Sequence, residues 1–96
     1  MIVIRGTYLA PLDAVDAVRG DHVGWIAGHV AAGRVVAAGR TDPPTGSVLL
    51  LRGGDGDAAL ELLEDDPYVR AGVASYAVAA VFTPVVHADG FEPFVS

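Results

Sequence analysis

The chain of 96 residues contains no cysteine, lysine, asparagine or glutamine. Without cysteine it has no thiol nucleophile, disulfide or thiolate metal site, and without lysine it has no Schiff base and no phosphate-binding P-loop. Its six basic residues are all arginine and its net charge is −6, so it lacks the cation cluster of a nucleic-acid surface. The side chains left for chemistry are twelve carboxylates, a few hydroxyl groups, and His22, His29 and His87.

Long hydrophobic runs are also scarce. The apolar start of the chain stops at Arg5, short of the ~7–15 apolar residues of a signal peptide. The segment 71–88 carries no Asp, Glu or Arg, but glycine, serine and proline interrupt it and it falls short of the ~20 residues that span a bilayer. We therefore expect a cytoplasmic protein with no membrane partner, in which residues 1–96 form one domain with a C-terminal tail from about residue 85.

The order of elements predicts an α+β fold. β-branched and apolar runs predict strands at 1–8, 34–40, 47–52 and 73–83, and helical spacing predicts helices at 11–33 and 57–64 with one further turn at 67–71. The first helical segment is either continuous or a short turn followed by a helix from about Asp21, because Gly20 interrupts it. The order βαββαβ indicates a ferredoxin-like sandwich, in which a four-stranded antiparallel sheet carries both helices on one face.

Two strands are apolar on both of their faces. Residues 2–4 and 48–51 are apolar without alternation, which is typical of a sheet that is covered on both sides. Two helices cover only one side, so we expect a second copy of the chain to cover the other, which gives a two-fold homodimer. Phe91 and Phe94 are too apolar for a free tail, and we expect them to dock on the domain or on the partner subunit.

The histidines do not form a recognisable metal site. His22 and His29 are seven residues apart on one helix face, a rise of about 10 Å, and one ion at ~2.1 Å from each nitrogen cannot reach both. We expect no metal and no cofactor. His22 is either a solvated histidine near the start of a helix or a site residue, and Asp66, before Pro67, has the ordinary role of an N-cap.

Glycine recurs every four residues along the predicted first helix. Gly20, Gly24 and Gly28 leave one helix face nearly bare. Each interior glycine costs the helix about 1 kcal/mol relative to alanine, so a benefit is expected to offset it. We expect this face to pack closely against the sheet or another helix, and the alternative is that it leaves room for a ligand beside His22.

Four short motifs, in this order and spacing, resemble the YciI-like (YCII-related) proteins over residues 1 to about 84. They are Arg19-x-x-His22-x-x-Trp25-Ile26, Gly33-Arg34-x-x-x-x-Gly39, Gly46-Ser47-Val48 and Asp66-Pro67-Tyr68-x-x-Ala71-Gly72-Val73. The resemblance implies a dimeric α/β barrel with a His–Asp pair in a pocket, here His22 and Asp66. One branch of the family looks like a dehydrochlorinase of a chlorinated hydroxyhydroquinone. The position before Gly39 often carries a small hydroxyl residue in the family but is Ala38 here.

The resemblance leads to a functional hypothesis. The chain is expected to be a small enzyme of lyase, isomerase or dehydrochlorinase type that acts on a small cyclic or aromatic oxygenated compound; the alternative is a non-catalytic ligand-binding or accessory protein. Asp66 would fix the tautomer of His22 and raise its basicity, while a helix N-terminus would favour the neutral imidazole. Arg19 and Arg40 would hold an anionic group of the substrate, or else are ordinary surface arginines. Trp25 and Tyr68 would be pocket walls, or else core aromatics.

Overall fold

The computed structural model describes residues 1–91 as one layer of helices on a sheet. Its elements are β1 (Ile2–Tyr8), α1 (Leu12–Ala31), β2 (Val35–Arg40), β3 (Gly46–Leu51), α2 (Gly56–Leu63), α3 (Pro67–Arg70) and β4 (Ala74–Val81). The strands form one antiparallel sheet in the order β2-β3-β1-β4. The ferredoxin-like prediction is confirmed, and the predicted elements agree with the observed ones to within a few residues.

The long helix is continuous. It begins after Pro11, which occupies the N-cap position without a side-chain hydrogen bond, and it passes through Gly20 unbroken. His22 lies ten residues after Leu12, near the middle of the helix. The expectation that a helix N-terminus acts on His22 is therefore wrong, because that field fades within the first turn.

Successive side chains of the two central strands, β1 and β3, point alternately to the two faces of the sheet. Ile2 and Ile4 of β1 and Leu49 and Leu51 of β3 point to the helices and form the main core with Ile26, Val35, Ala59 and Leu63. The residues between them, Val3, Val48 and Leu50, lie on the other face, which we call the open face. Val48 is 43% exposed there. The apolar runs in the sequence thus supply both faces of the sheet.

The glycine stripe of α1 does not pack against the rest of the chain. A Cβ atom built on Gly20, Gly24 or Gly28 meets nothing within 4 Å. All three residues are exposed, and none lines the cavity described below. Both expectations for this face are therefore wrong within residues 1–91.

The segment after β4 forms no helix or strand up to Phe91. Its start is held by Met1, whose amino group donates to the Phe82 carbonyl at 2.6 Å. Phe91 is half-buried, with its ring 6.0 Å from that of His87, and Phe94 lies outside the described residues. The docking of this tail stays a prediction. None of the helices in residues 1–91 has the length and hydropathy needed to cross a membrane.

Candidate functional site

The strand register brings four residues into one row across the helix-covered face. Arg40 pairs with Ser47, Ser47 with Gly6, and Gly6 with Tyr76, so the row runs through β2, β3, β1 and β4. The next row toward the core consists of Ala38, Leu49, Ile4 and Val78, all apolar. The face therefore changes from apolar to polar within one step of two residues.

Gly6 allows the two hydroxyl groups beside it to approach each other. A Cβ atom on Gly6 would lie 2.3 Å from Ser47 Oγ and 2.9 Å from Tyr76 Cε1. Both distances are too short for any side chain at position 6 to coexist with its neighbours as they stand. The absence of a side chain in the centre of the row is thus what places Ser47 and Tyr76 above it.

Asp66 is a fully buried carboxylate at the start of α3. Its Oδ1 accepts the backbone N–H of Tyr68 at 2.9 Å, which confirms the predicted N-cap followed by proline. Its Oδ2 accepts the hydroxyl of Tyr76 at 2.6 Å. Burial, then the bond to Asp66, raises the pKa of Tyr76, so its hydroxyl stays protonated as the donor.

His22 completes the set of groups around Asp66. Its Nδ1 lies 2.8 Å from Oδ1 and 3.0 Å from Oδ2 of the carboxylate. The imidazole also stacks on Tyr68, with ring centroids 3.8 Å apart and planes at 6°, and its side chain is 12% exposed. An ionised carboxylate only accepts hydrogen bonds, so Nδ1 carries the hydrogen and Nε2 is left with its lone pair.

A cavity of about 160 Å³ adjoins this pair between the sheet and α1. Its polar lining is supplied by His22, Tyr68, Ser47, Arg19, Arg40 and Tyr8. Ala38 is also part of the wall, at the position where the family often carries a hydroxyl group. The structure thus brings five of the six predicted site residues together. Four of them line the cavity: His22, Arg19, Arg40 and Tyr68. The fifth, Asp66, is hydrogen-bonded to His22 from behind.

The two arginines of the cavity differ in their surroundings. Arg40 donates from Nε to the Tyr8 hydroxyl at 3.0 Å and from Nη2 to Asp16, and these bonds raise its pKa. Arg19 is exposed at the cavity and has no hydrogen bond or ion pair with any residue in the range 1–91. The charge of Arg40 is therefore balanced by a carboxylate, whereas that of Arg19 is available to a ligand.

Trp25 lies elsewhere. It packs against the main core and contacts the His29 ring at 4.3 Å between centroids. His29 in turn accepts the Nε–H of Arg34 at Nδ1, at 2.8 Å. The structure does not place Trp25 at the cavity, so the expectation that it forms a pocket wall is wrong for this chain.

Three polar residues that line the cavity or support the His22–Asp66 pair were not predicted from the sequence as site residues: Tyr8, Ser47 and Tyr76. Tyr8 continues the alternation of Ile2 and Ile4, so strand periodicity alone places it on the helix-covered face. Tyr76 could not be found this way, because its approach to Asp66 depends on the register between β1 and β4. Over the described part of the chain, no three His, Asp or Glu side chains come close enough to hold a metal ion.

Comparison with known proteins places the chain among small α+β proteins. The family model of the YCII-related domain matches residues 1–82. No curated protein matches the chain. A similar solved structure is the 5-chloro-2-hydroxyhydroquinone dehydrochlorinase of Burkholderia phenoliruptrix AC1100 in complex with 2,5-dihydroxybenzoquinone. The two share 20% identity with a TM-score of 0.68, over 88% of this chain and 96% of that one.

Proposed function

This chain belongs to the family of proteins with a YCII-related domain, and from that premise we propose that it is a cofactor-independent enzyme of lyase, isomerase or dehydrochlorinase type. Its acid–base groups are His22 and Asp66, and its substrate is a small cyclic or aromatic oxygenated compound. The observation that carries the proposal is the pairing of His22 with a buried carboxylate at 2.8 Å in the wall of a cavity.

The geometry suits proton transfer by the imidazole. Nε2 takes a proton from a carbon or hydroxyl of the substrate, and the imidazolium that forms stays paired with the Asp66 carboxylate. The electron pair left on the substrate either accepts the proton back at another atom, as in an isomerisation, or expels a leaving group such as chloride, as in an elimination. Because Tyr76 and the Tyr68 backbone also hold Asp66, the imidazole keeps one tautomer and orientation.

The size of the cavity favours a single ring. At about 160 Å³ it is close to the engineered cavities of about 150 Å³ that hold benzene. The similar dehydrochlorinase was solved with a dihydroxybenzoquinone, which is a compound of this class. Both observations support a substrate that consists of one oxygenated ring with few substituents.

The proposal is tested by binding and turnover with a matched pair of histidine variants. A thermal-shift screen of oxygenated rings that includes 2,5-dihydroxybenzoquinone should give stabilising compounds, and some of these should be turned over. His22→Gln should lower turnover by about 10²–10⁴-fold, and His29→Gln, on the same helix but outside the cavity, should leave it unchanged. If compounds bind but none is turned over, and their affinity does not change in His22→Gln, the chain is instead a non-catalytic ligand-binding protein.

We also propose that the chain forms a homodimer through its open face. Val3, Val48 and Leu50 give this face an apolar centre, and Val48 is 43% exposed there within residues 1–91. Pairing of two copies would remove these side chains from water by the simplest closed symmetry. Sedimentation at micromolar concentration should give about twice 9.8 kDa.

Two equally exposed valines provide the control for this association. Val48 on the open face is 43% exposed and Val30 on α1 is 45% exposed. Val48→Glu should convert the protein to monomers, whereas Val30→Glu should leave the dimer intact. A wild-type chain that sediments as a stable monomer would contradict the proposed homodimer.

A further inference from the structure

We propose that Tyr8 is a second substrate-contacting residue of the cavity, which donates its hydroxyl hydrogen to a ligand oxygen and is held for that purpose by Arg40. The inference rests on the proposed function and deepens it, because it specifies the ligand: a ring that carries a carbonyl or ionisable hydroxyl oxygen within reach of Tyr8, besides the atom that His22 deprotonates. Nothing in the sequence motifs had assigned a role to Tyr8.

The hydrogen bond from Arg40 determines which hydrogen-bonding capacity of the Tyr8 hydroxyl group remains for a ligand. A phenol has one hydrogen and two lone pairs. The Tyr8 oxygen accepts the Nε–H of Arg40 at 3.0 Å, so one lone pair is in use. No group in residues 1–91 accepts the Tyr8 hydrogen, and the residue lines the cavity. The hydroxyl is therefore a donor that a ligand can use.

Arg40 is suited to hold Tyr8 rather than to bind the ligand itself. Its Nη2 donates to Asp16 of α1, which anchors the guanidinium from the side of the helix and balances its charge. Cζ of Arg40 lies 5.4 Å from the centroid of the Tyr8 ring. A cation bonded to the phenol oxygen polarises the O–H bond and makes it a stronger donor.

The proton acceptor, Nε2 of His22, belongs to a residue that lines the same cavity. Tyr68 contacts both residues, since it stacks on His22 and meets the Tyr8 ring edge-on with centroids 6.0 Å apart. When Nε2 of His22 removes a proton from a ring carbon next to a carbonyl group, the electron pair of the broken C–H bond forms a C=C bond and the π pair of the carbonyl group moves to its oxygen. A hydrogen bond from Tyr8 strengthens as that oxygen becomes negative, which is the type of interaction that lowers a reaction barrier. Arg19, unpaired within the described chain, adds a positive charge to the same cavity.

The test uses Tyr8→Phe, which removes one oxygen and keeps the ring. The probe is 2,5-dihydroxybenzoquinone, and benzene, which has no oxygen, is the control ligand. We expect calorimetry to show an affinity for the quinone at least about tenfold lower in Tyr8→Phe, with benzene binding unchanged. The infrared carbonyl band of the bound quinone should move to higher frequency, because the carbonyl loses a hydrogen bond.

The outcomes separate the two proposals. If the quinone does not bind the wild-type protein, the role of Tyr8 is overturned, whereas the proposed function falls only if the wider screen of oxygenated rings also gives no ligand. If the quinone binds and His22→Gln reduces turnover, but Tyr8→Phe changes neither affinity nor the carbonyl band, only the role of Tyr8 is overturned. Loss of benzene binding in Tyr8→Phe would also overturn it, because the phenol would then act through the shape of the cavity.

Discussion

His22 and His29 lie two turns apart on one face of the same helix, yet their imidazoles make opposite use of the same atom. Nδ1 of His22 donates to the buried carboxylate of Asp66, whereas Nδ1 of His29 accepts a hydrogen from Arg34. Burial and the Arg34 charge lower the pKa of His29, which keeps its imidazole neutral and able to accept. The partner, not the residue type or its place on the helix, determines the chemistry.

The partners also differ in how far along the chain they lie. Asp66 is 44 residues from His22 and is itself held by Tyr76 from the far edge of the sheet. Arg34 is five residues from His29, in the turn that leads to β2. The hydrogen bond of His22 thus depends on the tertiary fold, whereas that of His29 depends only on the end of its own helix. This contrast predicts effects of different size when each partner is removed.

Among the changes to the partners of the two histidines, the largest expected effect is on the free energy of unfolding. Asp66→Ala leaves three donors in a buried site without their acceptor and should lower the free energy of unfolding by about 3–5 kcal/mol. Arg34→Ala removes an exposed side chain and should stay within about 0.5 kcal/mol. Urea denaturation measures both. Asp66→Asn, which preserves the cap, should be milder than Asp66→Ala; equal effects of Asp66→Ala and Arg34→Ala would erase the contrast.

The next effect, on the helix that carries both histidines, is a gain in stability. Gly24→Ala fills open space in the middle of an exposed helix face and should raise the free energy of unfolding by about 0.5–1 kcal/mol. Gly46→Ala is the opposite case, because its Cβ atom would lie 2.0 Å from the Gly6 carbonyl oxygen. That variant should unfold or lose its register. A destabilised Gly24→Ala would mean that the glycine face packs against something outside residues 1–91.

A smaller but more specific effect concerns the tautomers. At alkaline pH, nitrogen NMR shifts should show the hydrogen of His22 on Nδ1 and that of His29 on Nε2. Asp66→Asn should weaken the preference at His22 only, since the amide can present an N–H as well as an oxygen. The same tautomer at both residues would remove the basis of the comparison and the free lone pair assigned to Nε2 of His22.

The smallest effect is on the titration of His29. Arg34→Gln removes a positive charge and should raise the pKa of His29 toward its ordinary value. A histidine with a lowered pKa in the folded state costs stability only as the pH falls below its ordinary value of about 6.5. The variant should therefore lose less stability than the wild type on mild acidification. Proton NMR titration measures the shift, and an unchanged His29 would leave burial as its only cause.

The fold could be predicted from the sequence because its signals are local. Alternation, turn residues and element order are properties of neighbouring positions, and they were sufficient for the ferredoxin-like topology. The sequence does not decide whether α1 is continuous, because Gly20 and Asp21 suggest a local break that the packing of the long helix outweighs. The misplacement of His22 near a helix start followed from the same pair.

The site could be predicted only in part. The pairing of His22 with Asp66 came from family resemblance, since nothing in the spacing of two residues 44 positions apart indicates contact. For Trp25 the sequence allows either a pocket wall or a core aromatic, and the side chain packs against the main core. Tyr76 required the register of two strands that are not adjacent in sequence, which no local pattern provides.

The missing side chain at position 6 has a consequence for sequence variation. Ser47 and Tyr76 occupy the space that any larger residue at position 6 would need. We therefore expect these three positions to change together in evolution, although they lie on three different strands. A relative that carries alanine at the first position should carry a smaller residue at one of the other two. Where the smaller residue replaces Tyr76, the relative would also have to support its buried carboxylate with a different donor.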